Sequence, residues 1–195
     1  MYFNSEYQPD FLKAPAAQRL QDTLTAHVCW QHESVTMFGK THTLQRRSAW
    51  FGDAGIAYRY SGQIHEATGW PSYLETIRDQ IRSTLPRRKH HPDKPFNFVL
   101  ANFYDHGHQA MGWHRDNEPE IHPLIASVSL GSPRRFRLEG SYLEPAESQA
   151  KNCSGDAIVL EHGSLLLFDG RRRHCLPKMT KVVDPRINLT FRTII

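Results

Sequence analysis

The run Arg186-Ile187-Asn188-Leu189-Thr190-Phe191-Arg192 alternates polar and apolar residues without a break. Side chains on a strand repeat every two residues, so Ile187, Leu189 and Phe191 share one face and Arg186, Asn188, Thr190 and Arg192 the other. The apolar face has to be buried, which places the strand in a sheet with a packed side. The opposite face sets out two guanidiniums, an amide and a hydroxyl in a row. Solvation is one reading of that row, although Lys and Glu would serve there equally well. Two Arg with Asn and Thr between them suit carboxylate recognition, because a guanidinium pairs bidentately with two oxygens.

Working outward, short strands are expected over 34–38, 56–60, 96–104, 112–116, 124–130, 134–139, 156–160, 164–168 and 186–194, punctuated by Gly, Pro, Asn and Asp. Ala17, Leu20, Leu24 and Val28 lie at helical spacing behind Pro15 and predict a helix over 15–27. Leu74, Ile77, Ile81 and Leu85, between Pro71 and Pro86, predict a second over 71–85. Two early helices followed by many short strands imply a mostly β, α+β fold, with helices backing a sandwich or jelly roll. The Ser/Glu/Ala-rich segment 141–155 reads as a loop.

The chain has 195 residues, enough for one domain with a sizeable core. Its 39% apolar and 23% charged content suit a soluble globular protein. No apolar run approaches membrane-spanning length, so no membrane partner is expected. The N-terminus carries no basic-then-apolar leader, so no signal peptide is expected. Cys29, Cys153 and Cys175 are too scattered for a disulfide framework or zinc finger, and suggest a reducing compartment. A net charge of +4 permits a polyanionic partner without demonstrating one. Arg46-Arg47, Arg87-Arg88-Lys89, Arg134-Arg135 and Arg171-Arg172-Arg173 are either solvated surface or, if gathered on one face, a phosphate-binding footprint.

Among 12 histidines, His114 pairs with Asp116 two residues on, so a strand there points both to one face. His174 follows the apolar run Ser164-Leu165-Leu166-Leu167-Phe168-Asp169. Two imidazoles and one carboxylate hold Fe(II) by three adjacent ligands and leave positions open for a co-substrate and oxygen. A buried structural histidine is the competing reading of His174. His106 and His108 are rival ligands, and His90-His91 sit in a basic, Pro-flanked loop. Asn102 and Tyr104 also share a strand face and can donate to a carboxylate; a core tyrosine is the simpler reading of Tyr104.

Taken in order, Asn102-Phe103-Tyr104, His114-Arg115-Asp116-Asn117-Glu118, Ile125-Ala126-Ser127-Val128-Ser129-Leu130-Gly131, His162-Gly163-Ser164-Leu165-Leu166 and Arg186–Arg192 resemble the AlkB-type Fe(II)/2-oxoglutarate dioxygenases. The likeness runs from about residue 34 to 195 and is nearest the branch that repairs alkylated bases in duplex DNA. It implies a double-stranded β-helix (jelly-roll) core. It implies iron ligation by His114, Asp116 and His174, and 2-oxoglutarate binding by Asn102, Tyr104, Arg186, Thr190 and Arg192, with Asn188 in the same row. Arg186 would meet the distal carboxylate, and Arg192 would also pair with Asp116.

The resemblance further implies oxidative demethylation of 1-methyladenine and 3-methylcytosine in DNA, releasing succinate, CO2 and formaldehyde. The same chemistry on RNA or protein, or a non-catalytic nucleic-acid-binding jelly roll, are the alternatives. Phe38 and Gly39, in Met37-Phe38-Gly39-Lys40, match a finger that enters the base stack; core packing is the other reading of Phe38. Tyr58 and Tyr60 match the strand lining the base pocket, with Tyr60 stacking the base against His114. Glu118 would accept from the exocyclic amine of a cationic base. Asn117 replaces a second acidic residue of those relatives, and the loop before His174 is short and triply basic, so strand preference stays open. The organisation implied is a single domain over 1–195. It comprises an N-terminal extension over 1–33 that caps the fold, a nucleotide-recognition region at about 34–95 with helices backing the core, and a catalytic jelly roll at about 96–195. An intracellular monomer is expected, cytoplasmic and nucleoid-associated in a bacterium or nuclear in a eukaryote.

Overall fold

The computed structural model describes residues 5–37, 39–60, 63–85, 95–140, 153–154, 157–180 and 183–195. In chain order the elements are β1 (Glu6–Gln8), α1 (Ala14–His27), β2 (Gln31–Met37), β3 (Lys40–Gly52), β4 (Ala57–Tyr60), β5 (Gln63–Glu66), α2 (Ser72–Thr84), β6 (Phe98–Tyr104) and β7 (Met111–His114). They continue with β8 (Leu124–Gly131), β9 (Arg134–Leu138), β10 (Cys153–Ser154), β11 (Ala157–Leu160), β12 (Ser164–Asp169), β13 (His174–Leu176) and β14 (Arg186–Arg192).

A seven-stranded sheet runs β1-β12-β8-β14-β6-β3-β2 and a five-stranded sheet runs β10-β11-β9-β13-β7; β4 and β5 form a separate hairpin. The ladders of both large sheets are antiparallel. Two apolar cores result. One packs α1 and α2 on the outer face of the larger sheet, joining Leu20, Leu24, Leu74 and Ile81 to Val99, Val128, Leu165, Ile187, Leu189 and Phe191. The other lies on the inner side and joins Phe98, Leu100, Leu166 and Phe168 to Phe136, Leu138, Ile158 and Leu176 of the smaller sheet. This layered jelly roll with helices on one outer face agrees with the expected class.

The period of two in β14 divides these layers. Ile187, Leu189 and Phe191 are fully buried against the helices, roughly 1.5–3 kcal/mol of apolar burial each. Arg186, Asn188, Thr190 and Arg192 line a cavity between the sheets.

Several boundaries and elements differ from expectation. β3 is 13 residues long and pairs with both β2 and β6, yet its first half is polar and mostly exposed, so no apolar alternation announces it. β1, β5 and β13 are three or four residues long, too short to carry a pattern. β7 stops at His114, so Asp116 lies beyond the strand rather than within it. α2 begins at Ser72 with Pro71 as its cap. The segment 141–155 falls outside the described residues except for Cys153–Ser154, which form β10. Pro86, Arg87-Arg88-Lys89 and His90-His91 also lie outside them.

Residues 5–33 pack into the fold through β1 and α1. β1 adds an edge strand to the larger sheet, and α1 supplies core side chains. The Leu12 N–H donates to Gly163 O at 2.9 Å. Gly163 has φ +82, and a Cβ there would sit 2.4 Å from Leu12 O. Only glycine allows this close crossing.

Candidate active site

The ends of β7 and β13 lie side by side, with His174 paired to His114 in register. Their rings stand 4.2 Å apart between centroids. Each imidazole is fixed from behind: His114 Nδ1 lies 2.9 Å from Gly112 O, and His174 Nδ1 2.9 Å from Arg172 O. A carbonyl only accepts, so each Nδ1 carries a proton, and Nε2 is the ring nitrogen left to bind a metal. Burial, then the neighbouring His114, pushes His174 down to about 4 despite Asp116, so this ring is neutral at pH 7.

Asp116 reaches the same spot from just past β7. Its N–H donates to Gly170 O at 2.8 Å, and a Cβ at Gly170 would meet Asp116 O at 2.8 Å and Asp116 Cβ at 3.1 Å. A small residue at 170 therefore lets the two turns touch. Asp116 Oδ2 accepts from Arg192 Nε at 3.2 Å and Nη2 at 2.6 Å. Oδ1 is turned toward His114 Nε2, 3.9 Å away. Burial alone would raise the Asp116 carboxyl; the Arg192 guanidinium, helped by His174 and His114, holds it below the ordinary value. One ligand atom from each of His114, Asp116 and His174 falls within 4.8 Å of the others. Among the described residues no other such group occurs, so His106 and His108, 5.8 Å apart between rings, do not complete a rival.

The same cavity is lined by Asn102, Tyr104, Arg186, Asn188, Thr190 and Arg192. Arg186 Nη2 donates to Ser129 Oγ at 2.9 Å, while Nε is buried without a partner among the described residues. Burial pushes the Arg186 guanidinium down to about 10, with Tyr104 opposing and Arg134 adding to the fall. A buried guanidinium with no acid beside it is costly unless a ligand supplies one. Asn102 Oδ1 accepts from Arg46 Nε at 2.8 Å and Ser48 Oγ at 3.3 Å, leaving its amide N–H groups for the cavity. Asn188 is different. Both of its amide protons are used, on Ser127 Oγ at 2.8 Å and Val128 O at 3.1 Å, and its Oδ1 accepts from Thr190. It orients the wall rather than offering a donor.

The residues expected to meet a base are distributed differently. Tyr58 is fully buried, its ring 5.4 Å from Phe98, with Arg192 Cζ 5.7 Å from its centroid. Its hydroxyl donates a long 3.4 Å contact to Glu118 Oε1. It therefore supports Glu118 from behind instead of lining an open pocket. Glu118 Oε2 is buried without a partner among the described residues. Asn117 is exposed. Met37 pairs with Lys40, and Gly39 before Lys40 has φ +74. Phe38 and the Tyr60 side chain lie outside the described residues.

Arg46 and Arg134 were read as parts of surface clusters and are buried. Arg134 Nη2 donates to Gln109 O at 2.9 Å and Pro177 O at 2.8 Å, and its Cζ lies 5.8 Å from the Tyr104 centroid. The alternation of Arg134, Phe136 and Leu138 on one face of β9 was the available signal. For Arg46, inside the polar half of β3, there was none.

Residues 5–192 match the family model of the 2OG-Fe(II) oxygenase superfamily. The chain belongs to that superfamily. It is 39% identical over 171 residues to the human protein named DNA oxidative demethylase ALKBH2, covering 83% of this chain and 61% of that one. The mouse protein of the same name is 37% identical, with 83% and 66% covered. Human alpha-ketoglutarate-dependent dioxygenase alkB homolog 3 is 28% identical over 193 residues, covering 95% and 64%. The chain thus spans roughly two-thirds or less of these relatives' length. A solved oxidoreductase of the 2OG-Fe(II) oxygenase family from Burkholderia pseudomallei superposes with a TM-score of 0.58 at 15% identity, over 97% of this chain and 85% of that one, a likeness of fold. The superfamily's name carries both Fe(II) and 2-oxoglutarate, and the donor set fits them. Two imidazoles whose Nδ1 atoms are already bonded to carbonyls, with one carboxylate, suit Fe(II), and Arg186 Nε, without a partner among the described residues, suits a carboxylate.

Proposed function

We propose that this protein oxidatively demethylates N-alkylated bases, such as 1-methyladenine and 3-methylcytosine, in DNA. His114, Asp116 and His174 hold Fe(II). Arg186 takes the distal carboxylate of 2-oxoglutarate, with Asn102, Tyr104 and Thr190 on the same wall. The observation that carries the proposal is the meeting, in one cavity, of the His-Asp-His group with a buried guanidinium lacking an acid. When bound, Fe(II) with 2-oxoglutarate and O2 supplies the oxidation, giving succinate and CO2 and adding one oxygen to the methyl carbon, which leaves as formaldehyde. The names of the relatives support alkylated DNA as the substrate.

The chain's own part is positioning. Gly112 and Arg172 carbonyls fix the imidazole tautomers, and Arg192 turns Asp116 so that Oδ1 faces them. The Glu118 carboxylate, braced by Tyr58, offers Oε2 to the exocyclic amine of a cationic methylated base. Phe38 and Gly39, between β2 and β3 in the sequence, act as the wedge that fills the stack when the base leaves it. Asn117, Tyr60 and the exposed Lys40 complete the contact with the strand. The protein works as an intracellular monomer.

Asp116→Ala is expected to abolish 2-oxoglutarate-coupled formaldehyde release from 3-methylcytosine DNA and to lower iron content after anaerobic reconstitution. Undiminished turnover in that variant would sink the metal assignment. Competition between methylated duplex DNA, single strands and RNA sets the substrate; preference for RNA would replace DNA in the reading and leave the chemistry standing.

A further inference from the structure

We propose that the outer face of the five-stranded sheet is a second nucleic-acid contact. Arg137 and Arg173, set around the exposed indole of Trp113, take the phosphodiester backbone flanking the nucleotide in the cavity. This rests on the nucleic-acid reading above.

Trp113 precedes His114 on β7 and so points to the opposite face from it. It is 43% exposed, one of three large hydrophobic residues left exposed among the described residues. On β9, Phe136 and Leu138 face inward while Arg135 and Arg137 face out. Arg137 Cζ lies 5.4 Å and Arg173 Cζ 5.5 Å from the Trp113 ring centroid, within the range of a cation–π contact. One cation comes from β9 and the other from the residue just before β13, and they meet over one aromatic ring.

What sets them apart is that, among the described residues, neither has a hydrogen-bond or ion-pair partner for its guanidinium. Arg171 is tied to Asp169, Arg172 donates to Gly140 O, Arg134 donates to two carbonyls, and Arg47 pairs with Asp105. Among the described residues, Arg137 and Arg173 pair with no carboxylate. The acid at this edge, Glu139, lies 4.0 Å from Arg115 Nη2. The triple cluster Arg171-Arg172-Arg173 therefore contributes one uncommitted guanidinium to the surface. An aromatic ring beside rigid, uncommitted guanidinium forks matches a phosphate backbone with stacked bases better than it matches an acidic peptide, which has no use for the ring. Position agrees. Trp113 and Arg173 are the residues immediately before His114 and His174, so the patch backs directly onto the imidazole pair.

The test is binding of unmethylated single-stranded oligothymidylate to the full chain by fluorescence anisotropy over a salt series, together with turnover of a methylated mononucleotide. In R137Q/R173Q, affinity is expected to fall about tenfold and the slope of log K against log salt to shrink by about 1.4, two single-strand phosphate contacts. Mononucleotide turnover should stay at the wild-type level. Arg137→Gln alone, further from His174, should show about half the slope change. Trp113→Ala should weaken binding about fivefold or more. Unchanged affinity and slope in R137Q/R173Q overturn the proposal. So does an equal loss of mononucleotide turnover, or dependence on both arginines only for a poly-glutamate peptide. Binding here needs no methyl group. If the wild type demethylates nothing yet binds through these arginines, the functional reading falls and the surface stands; active enzyme whose binding ignores them gives the reverse.

Discussion

The closed end of the cavity and its mouth are built on opposite plans. At the closed end the polar groups sit on strands of the larger sheet and are held by neighbours: Asn102 by Arg46 and Ser48, Asn188 by Ser127 and Val128, Arg192 by Asp116. At the mouth the groups come from strand ends and hairpins, and His114 is still 29% exposed. The closed end is preorganised for a ligand of fixed shape. The mouth belongs to elements that can vary without disturbing the sheet.

The comparison breaks first at the Arg192–Asp116 pair. Both side chains are almost fully buried. Arg192→Met strands a buried carboxylate and is expected to cost about 3–5 kcal/mol, read by chemical denaturation of the metal-free protein. Retention of wild-type stability would mean the closed end is not preorganised as described. Next is Arg186→Met. Losing a charge-assisted contact to a carboxylate should raise KM for 2-oxoglutarate about a hundredfold, with little change in melting temperature, since among the described residues its guanidinium loses a bond to the neutral Ser129 hydroxyl and no ion pair.

Phe38→Ala, which tests the proposed wedge, should lower the rate on methylated duplex about tenfold, as for a lost positioning contact, and leave single strands nearly unchanged. Equal falls, or none, would remove the wedge role. The smallest effect concerns the Glu33–His65 pair, 2.9 Å apart, which ties β2 to the β4–β5 hairpin. Burial raises the Glu33 carboxyl, but the bonds from His65 and Ser48, with Arg46, bring it below its ordinary 4.5. A depressed carboxyl stabilises the fold above its unfolded value and loses that contribution as pH falls through the folded one. Glu33→Gln should therefore cost about 1 kcal/mol at pH 7, with the gap to wild type closing once pH drops below 4.5. A gap independent of pH would mean the pair does not brace the hairpin.

Legibility in the sequence followed the range of the interaction. The two faces of β14 were readable because alternation is a property of adjacent residues, and both faces proved buried, one against helices and one against the cavity. The helices were readable from their stripes. β3 was not, because its polar half owes its place to backbone pairing with β2. The three consecutive arginines 171–173 looked like one basic cluster, yet a turn at a strand junction sends one to Asp169, one to Gly140 and one to Trp113. Tyr58 matched a pocket strand and is core.

By itself the sequence determined the mostly β class with two helices, the polar face of β14 and a set of candidate ligands in which His106 and His108 still rivalled His114 and His174. These rest on local periodicity and side-chain chemistry, which need no partner strand to be read. Only the tertiary structure decided that His174 meets His114 across a ladder, that Gly170 lets Asp116 approach, and that Arg186 is left without an acid while Arg192 is not. Those outcomes depend on register and on contacts between residues tens of positions apart, and a linear pattern carries no record of which strands will become neighbours.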